Sequence, residues 1–210
     1  MKRLLLKKVL RITGIIIVLG LTMYSIGHIP PRNLEAKAAE LEQYCKRNGY
    51  NTDVGILVDY SLYSGRERFF VWDFQAKKII TSSICAQGCG GAKTFGGNSF
   101  SNTPGSNCSS LGHYKIGRKR KMYDMPIAMA YELDGLDKTN SNARSRAILL
   151  HQTFLPTFIF PLPIPNGLRI SGKQIVPAFS EGCVTIPFSK FNSCSKAIEN
   201  IKKPIIRYLY

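Results

Sequence analysis

The chain has 210 residues, with 29 Lys and Arg against 13 Asp and Glu, for a formal charge of +16. Removing the five basic residues of the first eleven leaves 24 against 13, or +11, which suggests an anionic neighbour such as lipid headgroups or cell-wall polymer. Nucleic acid is excluded by the export signal at the N-terminus and by the absence of an aromatic-interleaved basic motif; a solvated basic surface is the plain alternative.

Lys2, Arg3, Lys7, Lys8 and Arg11 precede an apolar run from Ile12 to Ile29. Eighteen residues of helix rise roughly 27 Å, close to the ~30 Å of a bilayer core. The basic flank keeps this end cytoplasmic and sends the rest outward. A cleaved signal peptide needs small residues just after the apolar core, and Tyr24, Ile26 and His28 do not supply them. "AKA" at 36–38 lies too far downstream, so an uncleaved transmembrane signal anchor is expected. The organisation read from the sequence is a basic tip and anchor over 1–31, a helical spacer over 32–49 and one domain over 50–210.

Asn33 to Asn48 has helical spacing, with Leu34, Ala38, Leu41 and Cys45 on one face, Asn33 as cap and Gly49 as stop. From Thr52 the pattern changes to short apolar and aromatic runs between turn residues. "VGILVDY", "RFFVWDF", "KIITSSI", "LGHYKI", "PIAMAYEL", "RAILLH", "CVTIPF" and "PIIRYLY" read as strands. Lys190 to Lys202 reads as a helix with Phe191, Cys194, Ala197, Ile198 and Ile201 on one side, and "NSNARSR" as a shorter one. The domain is therefore mainly β with peripheral helices. Two loops stand out. "CGGAKTFGGNSFSNTPGSNCSS", 89–110, is too polar for a core, and its glycines lack the order of a nucleotide loop. "PTFIFPLPIPNG", 156–167, is apolar and proline-stiffened, suited either to covering a groove or to packing on the sheet.

In "SEGCVTIP", 180–187, a thiol follows a glycine and precedes a β-branched run. Cys183 could be inert packing, half of a disulfide, a metal ligand or a nucleophile. A nucleophilic thiol needs a base, oxyanion donors and a water-poor groove. Of the three histidines, His28 lies beside the membrane segment, His113 sits in "SSLGHYKIG", and His151 ends the run "RAILLH". Alternation puts Leu149 and His151 on one face at the sheet edge, where His151 is either a structural residue or the base. Arg144 and Arg146 are candidates for holding a substrate carboxylate, or are solvated flanks. Ser109 and Ser110 could donate hydrogen bonds in the groove, or cap turns.

Taken together, "TFGGNSFSNTPGSNCSSLGHYKIG", "GLDKTNSNARSRAILLHQTF" and "SEGCVTIP" resemble the murein L,D-transpeptidase catalytic domain family (YkuD-type) from about Asp53 to Tyr210. The resemblance implies a β-sandwich with peripheral helices, with Cys183 as nucleophile and His151 as its base. It further implies that Gly182 and Cys183 offer backbone N–H groups to the oxyanion and that Ser180 shapes the turn. Members cut the amide before the terminal D-alanine of a peptidoglycan tetrapeptide stem. The resulting thioester passes to an amine, giving a 3–3 cross-link, or to water. No metal or cofactor is required. The expected location is the bacterial cell envelope, anchored in the inner membrane with the domain in the periplasm. Glu181 stands where the family usually has His or Trp, and Gln87 where its nearest branch often has His. A carboxylate two residues from the thiol is expected to raise its pKa by about one unit. The alternative from another class is a non-catalytic wall-binding scaffold with a degenerate site.

Export permits disulfides, and the five other cysteines leave at least one unpaired if Cys183 is free. Cys45 with Cys194 would clip the two helices together, and Cys89 with Cys108 the Gly-rich loop. The Cys85-x₃-Cys89 spacing is not that of a standard zinc site.

Overall fold

The computed structural model describes residues 2–62, 66–91, 98–123, 128–153, 169–170, 173–174 and 179–210. Helix α1 runs from Lys2 to His28, and its apolar side chains from Leu5 to Leu21 are exposed. Among the described residues no helix is long and apolar enough to cross a membrane. The expected span 12–29 includes residues 23, 24, 26 and 27, whose side chains lie outside those described.

Helix α2, Leu34–Asn48, buries Leu34, Ala38, Leu41 and Cys45, the face that its spacing predicts. Gly49 ends it at φ 71°, and the Tyr50 N–H returns to the Cys45 carbonyl. Asn33 acts as cap through its backbone carbonyl, which accepts from the Lys37 N–H, and not through its side chain.

The strands are β1 (Val54–Val58), β2 (Phe69–Asp73), β3 (Lys78–Ser83), β4 (Gln87–Gly88), β5 (Gly112–Lys121) and β6 (Met129–Gly135). They continue with β7 (Leu149–Thr153), β8 (Arg169–Ile170), β9 (Lys173–Gln174), β10 (Phe179–Ser180), β11 (Val184–Pro187) and β12 (Ile206–Leu209). Eight form one sheet in the order β11-β7-β6-β5-β12-β1-β2-β3. Only β11 with β7 and β12 with β1 are parallel pairs within it. The chain leaving β3 meets the far edge, where the Ala86 N–H bonds to Thr185 O of β11, and β4 pairs with β10. The mainly β expectation holds: among the described residues the eight strands form a nearly closed, barrel-like sheet accompanied by three α-helices, where a β-sandwich with peripheral helices was expected.

Two cores explain why the central strands are apolar at consecutive positions. Ile56 and Val58 point to the inner face with Tyr114, Leu133, Leu150, Val184 and Ile186, closed by Phe191, Cys194 and Ile198 of α3 (Phe188–Ile198). Leu57 points outward with Phe70, Trp72 and Ile206, beneath α2. Gly55 admits this packing, since a Cβ there would stand 2.5 Å from Phe74 and 2.8 Å from Leu41. Burying both faces of a strand erases its polar alternation. Helix α3 starts two residues before and ends four residues before its predicted bounds. Pro187 fits the helix entrance, while Pro204 disfavours helical geometry at Lys203. Asn140 closes a short 3₁₀ segment and the rest of "NSNARSR" forms turns, not a helix.

All six cysteines are free. Cys45 belongs to the outer core and Cys194 to the inner one, so the sheet separates them and the helix clip does not form. The apolar loop 156–167 lies outside the described residues.

Candidate active site

Three segments meet at Cys183: the turn 180–183, the start of β7, and the stretch 106–110 that closes the Gly-rich loop. The turn depends on Gly182, at φ 113°. A Cβ there would lie 2.8 Å from Cys108 O, 2.8 Å from Ile148 Cδ1 and 3.0 Å from Arg146 Nη2, so both conformation and space demand glycine. Ser180 Oγ donates to Cys183 O at 2.5 Å and accepts from the Gly182 N–H at 3.3 Å. Ser109 Oγ donates to Gly182 O at 3.3 Å and accepts from the Gly88 N–H at 2.9 Å, tying the turn to β4.

The thiol itself rests at the head of β7. Cys183 Sγ accepts from the Leu149 N–H at 3.3 Å and donates to Ala147 O at 3.7 Å. Ala147 directs that carbonyl from a left-handed conformation, φ 52°, which is uncommon without glycine. The parallel register aligns Val184 with Leu150 and Thr185 with His151. Leu150 and Val184 enter the inner core, which leaves His151 and Thr185 on the other face. His151 sits within β7 between β6 and β11 and is half-buried. Its Nδ1 bonds to Gln152 O at 2.8 Å, which leaves Nε2 as the basic nitrogen. Among the described residues no hydrogen bond joins His151 to Cys183.

Burial pushes the Cys183 thiol above its ordinary range; the Leu149 N–H and the charges of Arg207 and Arg146 oppose that shift, and Glu181 adds to it. Burial likewise lowers His151, against the Gln152 carbonyl bond. Both shifts favour the uncharged forms, a thiol at Cys183 and a neutral imidazole at His151. Glu181 acts in the expected direction, but it is exposed and subordinate to burial.

The arginines and serines named from sequence are engaged with the protein. Arg146 gives Nη1 to Ser101 O at 2.9 Å and to Ser110 Oγ at 2.7 Å, and Nη2 to Cys108 O at 2.5 Å. Arg144 is exposed and pairs with Asp134 and Glu132, both at 2.7 Å. Ser110 Oγ donates to Ser101 O at 2.9 Å. Gln87 receives Arg68 Nη1 at 3.1 Å and donates to Asn98 at 2.8 Å. Among the described residues no three His, Cys, Asp or Glu gather as metal ligands.

Sequence reasoning passed over two arginines, Arg68 and Arg207, whose side chains are 0% exposed. For Arg207 a signal was present: it alternates with Ile205 and Leu209, which point into the inner core.

Residues 28–210 match the L,D-transpeptidase catalytic domain, and the chain belongs to that family. No curated protein matches. Among solved structures, Bd1075 of Bdellovibrio bacteriovorus is 16% identical with TM-score 0.44, over 78% of this chain and 49% of that one. The helical cell shape determining protein Pgp2 of Campylobacter jejuni is 14% identical with TM-score 0.42, over 74% and 46%. The Enterococcus faecium L,D-transpeptidase is 11% identical with TM-score 0.41, over 75% and 50%. The chain spans about half the length of these proteins.

Proposed function

We propose that the protein is a cysteine-dependent L,D-transpeptidase of the cell envelope that acts on peptidoglycan stem peptides, with α1 as its inner-membrane anchor and the domain in the periplasm. The observation that carries this reading is the presentation of Cys183 on a glycine-dependent turn, its Sγ fixed at the head of the strand that bears His151. Family membership supports the reaction class. The exposed apolar side chains of α1 and the basic residues before them support the anchor.

In the reaction, His151 Nε2 takes the thiol proton as Cys183 Sγ attacks the carbonyl carbon of the scissile amide. The resulting oxyanion is met by backbone N–H groups of Cys183 and of Gly182, the latter released from its long bond to Ser180 Oγ. Collapse breaks the C–N bond, and the proton on His151 leaves with the D-alanine amine. An amine from a second stem then attacks the thioester and gives its proton to His151. The thiol is restored and the 3–3 cross-link formed; water in place of the amine gives hydrolysis. A thiol and a neutral imidazole suit this route, because the proton moves with the attack. Ser109, Ser110 and Arg146 act as the frame that holds the Gly182 turn.

The test is incubation of the full chain in detergent with purified tetrapeptide muropeptides. D-alanine release or dimer formation, lost in Cys183→Ala, is the expected result. Binding with neither product would establish the non-catalytic scaffold instead.

A further inference from the structure

The end of α3 and the middle of β5 leave a cleft of about 480 Å³ between them, within the ~300–1,000 Å³ that small-ligand sites occupy. Neither Cys183 nor His151 lines it. The Ile116 N–H bonds to Ile205 O at 3.0 Å and ties the two walls together. Ile198 and Ile205, both buried, give the cleft an apolar floor. Its charged lining is four lysines, Lys115 and Lys119 from β5 and Lys202 and Lys203 from the segment after α3, against the single acid Glu199. Glu199 is taken by Lys119, and Lys115 reaches Asp134 at 3.3 Å. Among the described residues Lys202 and Lys203 are exposed and pair with no acid.

A helix dipole favours cations just beyond its C-terminus, which accounts for a lysine after α3. It does not account for two more that converge from β5 across the cleft. Like charges gathered round one hollow repel one another, and an anion seated there relieves the repulsion. The isoleucine floor adds a second demand, because only a ligand that also carries apolar groups removes that surface from water. The cleft is also turned away from the anchor. Ile29 O, just past α1, accepts from Arg66 Nη2 at 2.7 Å, ahead of β2, whose first residue pairs with Val58 at the end of β1. The cleft lies by the beginning of β1, where the Asn51 N–H bonds to Pro204 O at 3.0 Å. Val54 to Val58 spans about 14 Å, so lipid headgroups around α1 meet the opposite end of the strands.

We propose that this cleft is a second binding site, which takes a short peptide carrying carboxylates among small apolar side chains. The stem peptides of the proposed substrate belong to that class, so the identity of the peptide rests on the proposed reaction, whereas the cleft and its charge do not. A stem held there keeps the polymer on the protein while Cys183 works on another, and the second encounter becomes intramolecular.

The experiment uses the full chain in detergent with Cys183→Ala, so that nothing is turned over, and purified tetrapeptide muropeptides as the probe. A water-soluble carbodiimide condenses a bound carboxylate with a lysine amine to an amide, and mass spectrometry locates the adducts. They should collect on Lys115, Lys202 and Lys203, about tenfold above Lys46, Lys77 and Lys138, which are exposed elsewhere. Lys202→Glu with Lys203→Glu should cut the yield at Lys115 about tenfold, as the reversal of two exposed charges implies. Adducts spread evenly over these lysines overturn the proposal, and so does an unchanged yield at Lys115 in the charge-reversed variant. Protection of Lys202 and Lys203 by inorganic polyphosphate or phosphatidylglycerol vesicles, but not by muropeptide, overturns it equally. The outcome stands apart from the reaction: a chain that releases D-alanine yet gives evenly spread adducts keeps the reaction and loses the cleft, and one that never releases D-alanine but shows the enrichment does the reverse.

Discussion

Gly182→Ala separates a glycine required by geometry from one that is merely present. Two penalties combine at this position. The φ of 113° is unfavourable for alanine, at about 1–2 kcal/mol. The new Cβ also meets Cys108 O and Ile148 Cδ1, each at 2.8 Å, and relieving such overlap in a packed site costs about 1–3 kcal/mol. Lost freedom of the unfolded chain returns roughly 0.4–1 kcal/mol. The net expectation is about 3 kcal/mol, a large part of a domain's usual 5–15 kcal/mol. Gly105→Ala is the control, since φ is 76° there but nothing lies within 4 Å of the new Cβ, and about 1 kcal/mol is expected. Trp72, the single tryptophan, lies buried under α2 and reports urea unfolding by fluorescence. If both variants unfold at the same urea concentration, the contacts argued for Gly182 do not constrain the turn.

Three further outcomes follow from the same geometry. Arg146→Met removes three hydrogen bonds to the segment 101–110, which packs against the Gly182 turn; a stability loss of about 2–4 kcal/mol is expected in the urea assay, and a loss below 1 kcal/mol would remove Arg146 from the frame. His151 is lowered by burial, so the unfolded chain takes up its proton first as pH falls below about 6.5, and stability should decline from there to the folded-state pKa; His151→Gln should flatten that part of the profile, and an identical profile would contradict the buried neutral imidazole. If α1 anchors the chain, the protein should stay with membranes through carbonate extraction, whereas a soluble exported form beginning near Ala39 would end that proposal.

Much of the fold could be read from local pattern. The face of α2 follows the spacing of Leu34, Ala38, Leu41 and Cys45, and each strand of the main sheet falls on or overlaps a predicted apolar run. What local pattern cannot carry is which distant segments meet. Ala86 and Thr185 join the two ends of the sheet across almost a hundred residues, and without that contact a sandwich and a curled sheet look alike. At the site, the Gly-Cys turn and the strand histidine were visible as residue types at suggestive positions. Arg146 and Ser110 were visible too, but not their bond to each other, because it depends on how the Gly-rich loop packs. Arg207 was concealed by its charge: an arginine in a terminal strand is normally expected to face solvent.

The most direct test of the central claim is intact-mass measurement of the covalent intermediate. A carbapenem, whose strained ring a thiolate opens without releasing the acyl group, should add to the full chain once, at Cys183, and not at all to Cys183→Ala. In His151→Ala the same adduct should form about 10²- to 10⁴-fold more slowly. An adduct retained in Cys183→Ala, or mapped to Cys108 or Cys194, would contradict the assignment of the nucleophile.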